Sequence, residues 1–68
     1  MEGFKVTGEY IQLNQLVKVM GWCTNGSDAN ALIDEGLVKV NGVVEFRKRN
    51  KIKPGFIVEC EGEKVVVE

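Results

Sequence analysis

The 68-residue sequence contains no histidine, one proline, two cysteines and few aromatic residues. Without imidazole there can be no Ser-His or Cys-His nucleophilic pair, no imidazole general base and no zinc site of the kinds that need a His ligand. Cys23 and Cys60 lie 37 positions apart, which leaves no Cys-x-x-Cys pair and no four-ligand zinc set. No metal and no other cofactor is expected. A single disulfide is chemically open, but two such cysteines without an export signal are expected to be free thiols in a reducing compartment. No apolar run reaches signal or membrane length, so the expected location is the cytoplasm and the membrane is not an expected partner.

Apolar residues make up 44% of the chain and the net charge is −1, a balance unlike that of disordered segments. A chain this short buries only about 60% of its unfolded surface, so its core must be well patterned. The sequence has no internal repeat, low-complexity stretch or linker. Residues 1–68 are expected to form a single domain.

The small net charge hides an uneven distribution. Residues 1–46 carry three lysines against six carboxylates, and residues 54–68 carry one lysine against four. Between them, Arg47-Lys48-Arg49-Asn50-Lys51-Ile52-Lys53 holds five positive charges in seven residues. Local potential, not net charge, decides where phosphates gather, so this basic spot is a candidate polyanion site. The bland alternative is a solvated loop that keeps the protein soluble.

Phe4-Lys5-Val6-Thr7 alternates before Gly8 and predicts a first strand. Leu13, Leu16, Val17 and Met20 recur at helical spacing and stop at Gly21, which predicts an amphipathic helix. Ser27 is the expected cap of a second helix that turns Ala29, Leu32 and Ile33 inward and ends at Gly36. Strands are expected over 37–40, 43–47, 56–60 and 64–67, punctuated by Asn41-Gly42, Pro54-Gly55 and Glu61-Gly62. A two-residue turn at Asn41-Gly42 would pair Val38 with Glu45 and set a carboxylate beside the core. A three-residue loop is therefore preferred, with Val38, Val44 and Phe46 facing inward and Lys39, Glu45 and Arg47 outward. The expected fold is α+β, two short helices packed on a small, mainly antiparallel sheet, with 47–53 exposed.

Two short helices, a Leu-Ile pair late in the second, Glu35-Gly36-x-Val38-x-Val40-Asn41-Gly42 and a later Pro-Gly before a strand form an order that resembles the ribosomal protein S4-type RNA-binding domain, or αL motif. The likeness covers about residues 11–60. Gly36 to Gly42 followed by Glu45-x-Arg47-Lys48-Arg49-x-Lys51 resembles in particular the small stand-alone bacterial members of the YbcJ/YaaA type. The resemblance implies noncatalytic binding of structured RNA, ribosomal or transfer RNA, with the ribosome or a ribosomal precursor as the wider partner. It implies an RNA-facing surface made of Ser27 and Asn30 at the turn into the second helix, and of Lys39, Asn41, Arg47, Lys48, Arg49 and Lys51 on the strand and loop; Lys53, the last charge of the basic run, joins the candidate site. The family pattern usually offers arginines near positions 12 and 28, where this chain has Gln12 and Asp28, and this shifts the weight onto the loop.

Side-chain chemistry supports the same shift. Arginine forks grip two phosphate oxygens and stack on bases, whereas lysine supplies compact charge, so Arg47 and Arg49 are the candidates for directional contacts. Trp22 and Phe46 are expected to pack in or at the rim of the core, and Tyr10 to cap or pack. Asp34 and Glu35 are expected to be a solvated helix end of little consequence. A DNA-binding helix-turn-helix is disfavoured because no Lys or Arg lies between Ser27 and Glu35 to enter a groove. An enzyme is disfavoured by the missing nucleophile-base set and phosphate loop. The alternative that remains is an adaptor docking an acidic protein partner. The protein is expected to be a monomer.

Overall fold

The computed structural model describes residues 2–68. In chain order it contains β1 (Glu2–Phe4), β2 (Ile11–Gln12), α1 (Leu13–Val19), α2 (Gly26–Asp34), β3 (Val38–Val40), β4 (Val43–Val44), β5 (Lys51–Ile52), β6 (Ile57–Cys60) and β7 (Glu63–Val67). Five strands form one sheet in the order β1-β7-β6-β3-β4, in which β1 runs parallel to β7 and every other neighbour is antiparallel. A separate antiparallel pair joins β2 to β5. The fold is therefore α+β, with two short helices on a mostly antiparallel sheet.

The core follows from the two periodicities. Leu13, Leu16 and Val17 of α1 and Ala29 and Ile33 of α2 meet Val38, Val40, Val58, Cys60, Val65 and Val67 from the inner face of the sheet. No polar or charged residue is buried among the described residues. Each helix ends on a left-handed glycine, Gly21 at φ 76 and Gly36 at φ 75. There the Gly21 amide donates to Lys18 O and the Trp22 amide to Val17 O, while Gly36 and Leu37 donate to Ile33 O and Leu32 O. That paired arrangement satisfies the last helical carbonyls and needs a residue without a Cβ strain penalty at the turn.

The helix starts differ from the sequence expectation. Asn25, not Ser27, caps α2: its backbone is extended and its Oδ1 accepts the Asp28 amide at 3.0 Å. Ser27 sits inside the first turn, because the amide three residues past the cap is the one a short side chain can reach. Helix α1 has no side-chain cap, and its first amides instead donate to the basic segment, Leu13 to Asn50 O and Asn14 to Lys48 O, both at 2.9 Å.

The β3–β4 hairpin also departs from expectation. Val40 faces Val43 and Lys39 faces Val44, the register of a two-residue turn at Asn41-Gly42, with φ of 53 and 85. Positive φ at both central residues matches the twist of the strands, so Asn-Gly favours this turn over the three-residue loop. Val44 and Phe46 consequently do not face inward; they are 38% and 61% exposed. The carboxylate that argued against this register is accommodated because Glu45 finds donors, as described below.

Two strand boundaries and the exposure of one segment also differ from expectation. The first strand covers Glu2–Phe4, not 4–7, because its partner β7 ends at Val67 and the ladder cannot extend to Thr7. Strand β4 stops at Val44, short of 47. The 47–53 segment is not wholly exposed: Ile52 is fully buried, pairs with Ile11 and anchors the basic run to the core.

Candidate nucleic-acid interface

Segment 45–53 is held in place from both sides. Glu45 accepts from the Arg47 amide at 2.9 Å, from Arg47 Nε and Nη2 at 3.0 Å each, and from Asn50 Nδ2 at 3.1 Å. The hydrogen bonds from Arg47 hold the Glu45 carboxyl below its ordinary pKa and push the Arg47 guanidinium up. The pair is lopsided in exposure, with the Arg47 side chain 76% exposed and that of Glu45 only 14%. Arg47 thus presents its outer edge to solvent while its inner edge closes the loop.

Lys48 bridges the segment to α2, with Nζ 2.7 Å from Asp34 Oδ1. Its carbonyl also receives the Asn14 amide, and the Asn14 side chain donates to Asn30 Oδ1 at 3.3 Å. Asn30, Asn14 and Lys48 therefore form one continuous link from the second helix, through the start of the first, to the basic loop. Lys51 places Nζ 5.1 Å from the centre of the exposed Tyr10 ring, within cation-π range. Arg49, Lys53 and Lys39 form no ion pair among the described residues.

The candidate residues separate into those brought together and those set apart. Asn30, Lys48, Arg47 and Arg49 are connected through the helix pair and the loop. Lys39 lies on the outer sheet face, opposite Val44 on β4 and Glu59 on β6. Asn41 spends its Oδ1 on the Ile57 amide at 2.9 Å, which ties the hairpin turn to β6. Ser27 is exposed in the first turn of α2, about one helical turn before Asn30.

Some of the other side chains depart from the sequence expectation and others agree with it. Phe46 lies on the surface beside the basic run, and Tyr10 under Lys51, so both aromatics border the site. Asp34 is a partner of Lys48, not an idle helix end. Trp22 is half-buried against the core, as a rim residue should be. Cys23 and Cys60 are free; burial raises both thiol pKa values, helped by Asp28 at Cys23 and by Glu61 at Cys60. No group of three His, Cys, Asp or Glu side chains converges on a metal position among the described residues. Among the described residues no helix is long and apolar enough to cross a membrane.

Residues 4–68, which include the helix pair, the hairpin after Gly36 and the loop docked on α1, match the family model of the S4 domain. The chain belongs to the S4 domain family. It is 45% identical over 58 residues to YbcJ of Escherichia coli (strain K12), covering 85% of this chain and 83% of that protein. The solution structure of Escherichia coli YbcJ, described as revealing an αL motif involved in RNA binding, superimposes with a TM-score of 0.74 at 41% identity, covering 98% of this S4 domain and 86% of that chain. The tyrosine–tRNA ligase of Ralstonia nicotianae matches 88% of this chain at 35% identity, but only 15% of the ligase takes part. The shared piece is one small domain of that enzyme.

Proposed function

We propose that residues 1–68 act as one noncatalytic module that binds structured RNA, ribosomal or transfer RNA, as a monomer in the cytoplasm, with the ribosome or a ribosomal precursor as the wider partner. The contacts come from Lys39, Arg47, Lys48, Arg49, Lys51 and Lys53, with Asn41, Ser27 and Asn30 at the margins. The observation that carries the reading is the concentration of five positive charges in seven residues, fastened by backbone hydrogen bonds to the start of α1. Such anchoring presents a fixed array of charge, which loses less freedom on binding than a floppy loop would. The likeness to YbcJ supports the same reading.

Phosphate binding releases counterions, so if about four of these six cations meet phosphates at once the log-log slope of affinity against salt is roughly −3. The test measures affinity for bulk transfer RNA and for ribosomal RNA across a salt series, with the wild type and with Arg49→Glu combined with Lys53→Glu. These two charges have no ion-pair partner among the described residues, so their reversal should leave the fold intact, reduce the slope by about two and weaken binding of all sequences alike. A folded double variant with unchanged affinity and slope would remove the basis of the reading. Salt-resistant capture of an acidic protein, with no RNA retained, would favour the adaptor instead.

A further inference from the structure

Phe46 is 61% exposed, and Leu37 and Val44 nearby are 40% and 38% exposed. The ring is nevertheless not loose. It lies over Gly36, where a Cβ would be 3.5 Å from its Cε1 and Cζ and 3.6 Å from Val44 Cγ1. One side of the phenyl group is therefore supported by the Gly36 backbone and Val44, at the end of α2. A large apolar side chain in this position gains little from folding, since most of its surface stays in water.

The charges around it favour one kind of occupant. Arg47 and Lys48 follow Phe46 in the chain, and Lys39 sits opposite Val44 in the hairpin register. Two of the nearby carboxylates are already engaged: Glu45 by Arg47 and Asn50, and Asp34 by Lys48. Glu59 faces Lys39 in register across β3 and β6 but makes no ion pair among the described residues, and neither do Glu61, which shares a surface with Gly36 and Lys39, and exposed Glu35, next to Gly36. An exposed aromatic ring at the start of the basic run, backed by Gly36 and next in the chain to a guanidinium already fixed by Glu45, is an arrangement that can receive a base while its phosphates meet the run's charges.

We propose that Phe46, supported by Gly36 and Val44 and flanked by Arg47, is a stacking platform for an unpaired nucleobase of the RNA. This rests on the RNA-binding reading and refines it: the preferred RNA has a loop or bulge next to a paired stretch, not an uninterrupted duplex.

The experiment compares two probes with equal numbers of phosphates. One is a hairpin RNA whose loop carries a fluorescent purine analogue, and the other is a blunt duplex. The wild type should bind the hairpin more tightly and change the analogue's fluorescence. Phe46→Ala should lose about 5- to 100-fold in hairpin affinity, as expected for one stacked base, while duplex affinity and salt slope stay unchanged. Phe46→Tyr should retain the preference, whereas Phe46→Leu, apolar but without a π face, should lose most of it. Amide spectra establish that each variant is folded. If folded Phe46→Ala binds both probes like the wild type, the platform is refuted and the charge-based RNA reading stands. If the wild type binds neither probe at low salt, the RNA reading fails and takes the platform with it. Sedimentation showing wild-type self-association that Phe46→Ala abolishes, with RNA affinity unaltered, would assign the patch to a second copy and overturn the proposal.

Discussion

Arg47 and Glu45, two residues apart, close a ring in which the carboxylate receives both the backbone amide and the guanidinium of the same arginine. Because the backbone and side chain of Arg47 are held together, the chain must turn here, and β4 ends at Val44. The same contact, with Asn50 Nδ2, satisfies the Glu45 carboxylate in a half-buried position opposite Val38, to whose carbonyl the Glu45 amide donates at 3.0 Å. One carboxylate thus makes the register of the Asn-Gly turn tolerable, marks the start of the basic loop and fixes the direction of Arg47.

Glu45 should make the loop sensitive to acid. Its pKa in the folded protein is lowered from the ordinary value of 4.5, mainly by the hydrogen bonds from Arg47. A lowered carboxylate contributes stability that is present above the unfolded value and lost as pH falls through the folded one. The Arg47 amide proton, which donates directly to the carboxylate, should therefore keep its position in NMR spectra at neutral pH and move upfield only below about pH 4.5. Glu45→Gln should abolish that titration and speed exchange of the Arg47 amide. An Arg47 amide that titrates identically in Glu45→Gln would show that another group is responsible.

The cap of α2 offers a second comparison. Asn25→Ala should destabilise the protein by about 1 kcal/mol, the usual effect of losing a side-chain cap. In a domain of this size that lowers the melting temperature by roughly 4–8 °C. Ser27→Ala, inside the first turn, should change it by no more than a few tenths of a kcal/mol. A larger loss at Ser27 than at Asn25 would mean that the helix begins two residues later than described.

Much of this architecture was legible because it is local. Helical spacing from Leu13 to Met20, the glycines at 21 and 36, and the Asn-Gly and Pro-Gly turns each announce themselves within a few residues. What escaped reading depends on partners distant in sequence or hidden in a loop. The register of β3 and β4 was misjudged because the donors that satisfy Glu45, Arg47 and Asn50, lie in a segment with no periodicity. That error turned Phe46 inward, and so the aromatic beside the site was missed. The β2–β5 pair, two residues on each side, is too short for an alternating pattern, although a lone Ile52 among lysines was a signal that the run must dip into the core. The basic cluster itself was plain, since charge needs no fold to be counted.

The thiols should differ in reactivity. Desolvation raises both pKa values, so neither is a ready thiolate at neutral pH. Cys60 is 3% exposed and Cys23 only half-buried. A chromogenic disulfide reagent should modify Cys23 slowly in the folded protein and Cys60 only at the rate of unfolding. Denaturant should make the two rates converge. Equal, rapid labelling of both in native buffer would contradict the packing of β6 against the helices.

The Lys48–Asp34 contact predicts an effect on RNA opposite to that of the loop reversals. At 2.7 Å, with side chains 38% and 58% exposed, it is a surface ion pair and contributes at most about 1 kcal/mol to stability. Asp34→Asn should therefore leave the melting temperature nearly unchanged. It does, however, remove a negative charge from beside the phosphate track and release the Lys48 ammonium. Affinity for transfer RNA should rise about two- to fivefold, the scale of one exposed pair, and the salt slope should steepen slightly. Glu63→Gln removes the same charge from the start of β7 and serves as the control. If both variants tighten binding equally, only net charge matters and the contact has no local role. If Asp34→Asn weakens binding, Asp34 positions Lys48 toward the RNA instead of competing for it. Tightening confined to Asp34→Asn places the polyanion where the loop meets α2.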